Sequence, residues 1–224
     1  MKSYLAELLG TFILVFAGTG AIIINDISGG AISHLGIAVT FGLVVMAMIY
    51  TLGEVSGAHL NPAVTIGFWA ARRFPARKLF PYIASQCLGA LLASAILRLL
   101  FPQHSTLGAT APAGSVLQSF GLEVLLSFFL MFVIINVSAG AKEKGVIAGV
   151  AIGGMVALEA LFGGPISGAS MNPARSFGPA VVSGNLSALW VYLLAPLVGM
   201  FLGILGCRCV QEKGCCASLQ EQQG

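Results

Sequence analysis

Two stretches decide the reading: Ser56-Gly57-Ala58-His59-Leu60-Asn61-Pro62-Ala63 and Ser167-Gly168-Ala169-Ser170-Met171-Asn172-Pro173-Ala174, the same pattern 111 residues apart. Each Asn-Pro pair carries a helix-start signal. Asn is a preferred N-cap, and Pro is favoured at the first helical position, where its missing N–H would have no intrahelical partner. The apolar segments that follow, about 61–71 and 172–182, are too short to cross a bilayer and read as re-entrant half-helices. The Ser-Gly-Ala entries are irregular backbone, tolerated at membrane depth only where buried in protein or lining a cavity.

The rest of the chain supplies the membrane. Lys+Arg number 11 and Asp+Glu 8, so 8% of the 224 residues are charged, against about 25% in soluble domains. Hydrophobic residues make up 57%, and the mean hydropathy is +0.94. Nineteen charges cannot cover a soluble surface of this size, which excludes an ordinary soluble enzyme, a nucleic-acid binder and a disordered chain. Six apolar runs have spanning length: about 4–24, 34–54, 80–101, 117–137, 146–163 and 187–207. The first imitates a signal peptide, but Glu7 interrupts it and a related segment recurs in mid-chain, so it reads as a retained span.

The duplication extends beyond the Asn-Pro motifs. Glu7 and Glu123 each open an apolar run, and Tyr82 and Gly89 match Tyr192 and Gly199. Repeat halves of about 1–101 and 117–208 each hold three spans, an odd number, so the second enters the membrane inverted. The expected fold is an all-α membrane protein with six transmembrane helices and two half-helices in an inverted 3+3 repeat. It forms a single domain over 1–210, with a polar cytoplasmic tail at 211–224. Such repeats place a pathway near the midplane. Lys2, Arg72, Arg73, Arg77, Lys78, Lys142, Lys144, Arg208 and Lys213 fall on one side of this layout, which puts both termini in the cytoplasm. Arg98 reads as a helix-end residue that snorkels to the interface, whereas Arg175 lies in an apolar half-helix.

Inversion points the two half-helix N-termini at each other, each with about half a positive charge. That repels cations and hydronium and tolerates neutral dipolar solutes. With each Asn carbonyl capping its own helix, the amide NH2 groups are free to donate into the lumen and break a proton-conducting water wire.

These motifs, with Val64-Thr65 after the first and Arg175-Ser176 after the second, resemble those of the aquaporins, or major intrinsic proteins, over about residues 4–208. The stretch Gly164-Pro165-Ile166-Ser167-Gly168-Ala169-Ser170-Met171 is most similar to plant nodulin-like intrinsic proteins and their bacterial relatives. The resemblance implies pore motifs at Asn61, Pro62, Ala63, Asn172, Pro173 and Ala174, and usually a homotetramer with one pore per subunit. It implies an aromatic/arginine constriction of Phe41, Ala160, Ala169 and Arg175. Water-selective members usually carry His where Ala160 falls, so this ring is expected to be wider, of aquaglyceroporin type. The implied activity is passive passage of water and small neutral solutes, such as glycerol, urea, or boric and arsenous acids.

The resemblance also makes Glu7 and Glu123 structural supports for the re-entrant loops and places His59 in the inner vestibule. Glu54, near the cytoplasmic mouth, is open between a residue that affects pore access and a protonated or hydrogen-bonded wall residue, and Glu159 is expected to point away from the filter. His34 and His104 read as ordinary outer-loop or helix-end residues. Cys207, Cys209, Cys215 and Cys216 read as reduced cytosolic thiols, and no metal, cofactor or catalytic set is indicated. The competing classes are a strictly water-selective channel, an ion-coupled secondary transporter and a structural membrane-junction protein. The neutral midplane residues oppose the second, and the intact Arg175 and paired asparagines oppose the third. The expected location is a plasma membrane, spanned several times in contact with lipid, with a prokaryotic source.

Overall fold

The structure is a computed structural model that describes residues 1–138 and 142–211, the side chains of 142–146 excepted. The described residues form eight α-helices and one 3-10 turn. The helices are α1 (Lys2–Ile27), α2 (Ser33–Ser56), α3 (Pro62–Ala70), α4 (Leu79–Leu100), α5 (Val116–Val137), α6 (Lys142–Ser167), α7 (Pro173–Ser183) and α8 (Leu189–Val210). The 3-10 turn, Ala76–Lys78, leads into α4. Six helices are long and apolar enough to cross a membrane. The short ones, α3 and α7, start at the two Asn-Pro pairs.

The largest departure from the expected boundaries is α6. The span expected over about 146–163 runs instead through Gly163-Gly164-Pro165 to Ser167. Tertiary packing holds the helical course across a proline that propensity alone would make a terminus. Arg98, in the last turn of α4, donates from Nη1 to the carbonyls of Pro102 (3.2 Å) and His104 (2.7 Å) and ties down the loop after the helix. Cys209 is free and exposed. The expectations for the side chains of Lys142 and Lys144, and for Lys213, Cys215 and Cys216, lie outside the described residues.

Helices in lipid gain little from the hydrophobic effect between them, so they associate through close packing at small residues. The repeat shows this twice. A Cβ on Gly42 in α2 would fall 2.5 Å from the Gly153 carbonyl oxygen in α6, and one on Gly153 would fall 2.6 Å from that of Gly42. Gly42 and Gly153 are 111 residues apart, so the contact joins equivalent positions and marks the pseudo-two-fold axis. Gly89 packs on the Leu8 carbonyl between α4 and α1, and its counterpart Gly199 packs on that of Val124 between α8 and α5.

The half-helices bind the halves together. Gly67 of α3 faces Met131 and Met200 of the second half, and Gly178 of α7 lies against Ala90 and Ser94 of the first. Each short helix is thus buried partly by the opposite repeat. Lipid-facing positions carry the exposed apolar side chains, among them Leu9, Leu43, Leu92, Phe129, Leu158 and Leu194.

Gly42→Val and Gly153→Val should each lower stability by about 1–3 kcal/mol through overpacking of the same crossing. The double variant should cost less than the two added together. Thermal unfolding in detergent measures all three.

Candidate functional site: a lined passage between paired half-helices

Each half-helix begins as its sequence dictates. Asn61 Oδ1 accepts from the N–H groups of Ala63 (2.8 Å) and Val64 (3.4 Å), and Asn172 Oδ1 accepts from those of Ala174 (3.0 Å) and Arg175 (3.3 Å). Pro62 and Pro173 occupy the first helical turn. The amide NH2 groups differ from their expected freedom. Asn61 Nδ2 donates to the Met171 carbonyl (2.8 Å), and Asn172 Nδ2 donates to the Leu60 carbonyl (2.9 Å). A primary amide has two hydrogens, so this reciprocal bond takes one from each and leaves one per asparagine for the lumen.

The entries to the half-helices are held in an unusual backbone state. Ala58 (φ 46°), Leu60 (φ 52°), Ala169 (φ 41°) and Met171 (φ 52°) are all left-handed, at a cost of about 1–2 kcal/mol per residue. Buried carboxylates hold them there. Glu7 Oε1 accepts from Ser56 Oγ (2.7 Å) and the His59 N–H (2.9 Å), and Oε2 accepts from the Leu60 N–H (2.7 Å) and Gln86 Nε2 (2.7 Å). Glu123 repeats this with Ser167 Oγ (2.7 Å), the Ser170 N–H (2.8 Å) and the Met171 N–H (2.8 Å). Tyr82 and Tyr192 complete each corner by donating to the carbonyls of Ser56 (3.0 Å) and Ser167 (2.7 Å).

Behind α3, Thr65 Oγ1 donates to the Asn61 carbonyl (2.9 Å) and so can only accept from His59 Nδ1 (3.1 Å) and Gln86 Nε2 (2.9 Å). This assigns the hydrogen to Nδ1 in neutral His59. His59 lines the inner cavity, with its ring stacked on Phe68 at 4.7 Å. Behind α7 the equivalent of Thr65 is Ser176, which meets Ser170 Oγ (2.5 Å) and accepts from Thr110 Oγ1 (2.7 Å). The second half uses this position to clamp the outer loop.

Two cavities run end to end through the bundle. The inner one, about 390 Å³, is lined by His59, Asn61, Asn172 and apolar side chains of α1, α2, α3, α5 and α6. The outer one, about 270 Å³, is lined by His34, Ile37, the loop residues Ala109–Ala111 and Gly164. Four residues line both: Phe41, Ala160, Ala169 and Arg175. They therefore sit where the two chambers meet. Arg175 is 2% exposed; its Nη1 donates to the Gly108 carbonyl (2.9 Å), and its guanidinium lies 5.1 Å from the Phe41 ring centroid. Such a cation–π contact contributes roughly 0.5–2 kcal/mol. Glu159 is buried, lines neither cavity, and among the described residues has no hydrogen-bond partner for either carboxyl oxygen.

A family model described as major intrinsic protein matches residues 1–206. The chain belongs to the major intrinsic protein family. Its relatives include the rice (Oryza sativa subsp. japonica) protein Aquaporin NIP1-1, 48% identical over 204 residues that cover 91% of this chain and 72% of the relative. Nodulin-26 of Glycine max is 46% identical, covering 91% and 75%. Among solved structures, the aquaglyceroporin from Plasmodium falciparum superposes with a TM-score of 0.83 at 26% identity, over 95% of this chain and 99% of that one. The major intrinsic proteins are channels, so this is a multi-pass membrane channel of aquaporin type and not an enzyme. These relatives are plant and parasite proteins and give a prokaryotic source no support.

The sequence reading of this aquaporin missed three parts of the passage. Arg73 was counted only as a cytoplasmic charge, yet it lines the inner cavity and donates to the carbonyls of Ile135 (3.2 Å) and Ser138 (2.6 Å). Its signal is its place three residues after the first half-helix. His34 lines the outer cavity instead of being an ordinary helix-end residue. The loop carbonyl that holds Arg175 has no side-chain signature and was not readable. Glu54 is exposed and is not among the residues lining either cavity. His104, as expected, stays in the outer loop, where Nε2 meets Asp26 Oδ2 (3.2 Å) and Nδ1 accepts from the Leu107 N–H (3.0 Å).

Glu7→Gln exchanges one accepting oxygen for an NH2 group that faces donors. Expected is a loss of about 1–3 kcal/mol for each stranded donor, with lower thermal stability and reduced permeability together.

Proposed function

We propose that this protein is a passive, bidirectional channel for water and small neutral solutes of the glycerol, urea and metalloid-acid class, closed to ions and protons. The observation that carries the reading is the ring of four residues shared by both cavities, of which two are alanines. Phe41 offers an apolar wall and Arg175 offers donors, and Ala160 and Ala169 leave the remaining sides small. A hydroxylated solute can lay its carbon face on Phe41 and its oxygens toward Arg175. Water alone would not require so much room.

Exclusion of ions follows from chemistry that the ring does not replace. A cation entering would lose hydration at a cost of several kcal/mol, and it would meet Arg175 and the positive ends of α3 and α7. Beyond the ring, the N–H groups of His59, Leu60, Ser170 and Met171 are occupied by the two carboxylates. A solute therefore finds chiefly carbonyl acceptors along these stretches. At the asparagines it meets one free amide hydrogen from each side. A water molecule there turns its oxygen toward both donors, which interrupts proton hopping along the file.

The wider reading includes a homotetramer with one pore per subunit, in a plasma membrane with both termini cytoplasmic. It is supported by the family and by the one-sided basic residues.

Stopped-flow swelling of proteoliposomes in glycerol, urea and boric acid gradients tests the solute range, and the expected result is flux of all three together with water. Water flux alone would return the strictly water-selective reading. Ala160→His should narrow the ring and lower the glycerol-to-water ratio by about tenfold, the effect of roughly 1.4 kcal/mol on a barrier. An unchanged ratio would remove position 160 from the filter.

A further inference from the structure

Pro165 lies inside α6 and has no N–H for the carbonyl four residues earlier, that of Leu161. The released carbonyl, in the exposed outer turns of α6, is left without an intrahelical donor. The donor comes from a different helix: His34 Nε2 of α2 stands 2.7 Å from Leu161 O. Because the partner is a carbonyl, Nε2 must carry the hydrogen. It does so in one neutral tautomer and in the imidazolium alike, so the bond does not depend on the charge of the ring. The ring occupies the space over Gly164, where a Cβ would fall 2.7 Å from His34 Cε1.

The position of this bond gives it its meaning. Leu161 follows Ala160 in the chain, and His34 is seven residues, two helical turns, before Phe41 on α2. The bond therefore ties together the two helices that carry the apolar half of the ring. The glycine crossing at Gly42 and Gly153 pins α2 to α6 on the inner side of the ring, and His34 pins them on the outer side. We propose that His34 is a positioning residue of the selectivity ring, setting the separation of Phe41 and Ala160 through the carbonyl that Pro165 releases. This rests on the channel reading given above and adds a specificity determinant to it.

The test uses the full chain in proteoliposomes, with water and glycerol permeabilities measured for wild type, His34→Leu, His34→Gln, Pro165→Ala and the double variant His34→Leu/Pro165→Ala. His34→Leu should loosen the ring and raise the glycerol-to-water ratio by about fivefold, the scale of one neutral hydrogen bond. His34→Gln, whose amide can reach the same carbonyl, should stay within about twofold of wild type. Pro165→Ala returns an N–H to Leu161 within α6, so adding His34→Leu in that background should move the ratio by less than about twofold.

An equal shift in both backgrounds would overturn the proposal, because it would make His34 a direct solute contact. So would an unchanged ratio in a His34→Leu channel that still conducts water. If His34→Leu fails to assemble, rescue by Pro165→Ala supports the proposal and absence of rescue overturns it. A wild type that passes no glycerol would defeat the solute range by itself. The coupling between positions 34 and 165 is then read from water permeability: a His34→Leu effect cancelled by Pro165→Ala supports the proposal, and one that persists overturns it.

Discussion

Everything in this channel hangs on two carboxylates that hold irregular backbone at a depth where water cannot. The Asn-Pro helices can start at mid-membrane only if the residues before them turn sharply, and those turns leave N–H groups pointing away from any helix. Glu7 and Glu123 accept them from behind, two per carboxylate, with a serine hydroxyl completing each corner. Left-handed alanine, leucine and methionine would otherwise relax. The carboxylates stabilise a backbone whose carbonyl side is then available to solutes. One interaction thus accounts both for the shape of the passage and for its polarity.

The two halves solve this problem in parallel but not identically. In the first, the hydroxyl behind the half-helix is held by Gln86 and His59, both within the bundle. In the second, the equivalent hydroxyl reaches the outer loop through Thr110, and Gly108 of that loop fixes Arg175. Duplication supplied the frame, and divergence behind the half-helices made one end a vestibule and the other a filter. α6 also carries a proline through its outer turns, whereas α2 has none. Its released carbonyl becomes an attachment point near the ring.

Much of this was legible in the chain itself, for physical reasons. A motif repeated at near-constant offset leaves few folds open, and Asn-Pro is a cap that needs no tertiary context. The four ring residues follow from the family resemblance, by matching positions without gaps to its two motifs. What escaped were interactions whose partners are backbone. The asparagine amides were read as wholly free because their acceptors, the carbonyls of Met171 and Leu60, leave no mark in the sequence. The apolar run at 146–163 stops short of the helix end because Gly and Pro disfavour helix, and packing of α6 against α2 and α5 accompanies its course to Ser167. His34 reads as an ordinary helix-end residue because its acceptor, the Leu161 carbonyl, is released only where that helix continues through Pro165.

The reciprocal bonds between Asn61 and Met171 and between Asn172 and Leu60 bear on how the molecule is made. The first three spans leave the ribosome long before residue 171 exists, so Leu60 must wait at membrane depth for a donor and Asn61 for an acceptor. Gly67 likewise faces side chains that have yet to be synthesised. The half-finished chain is therefore an unstable membrane guest. Its first half-helix cannot settle until its counterpart arrives from the opposite face. The centre of the pore is therefore complete only when both half-helices are in place.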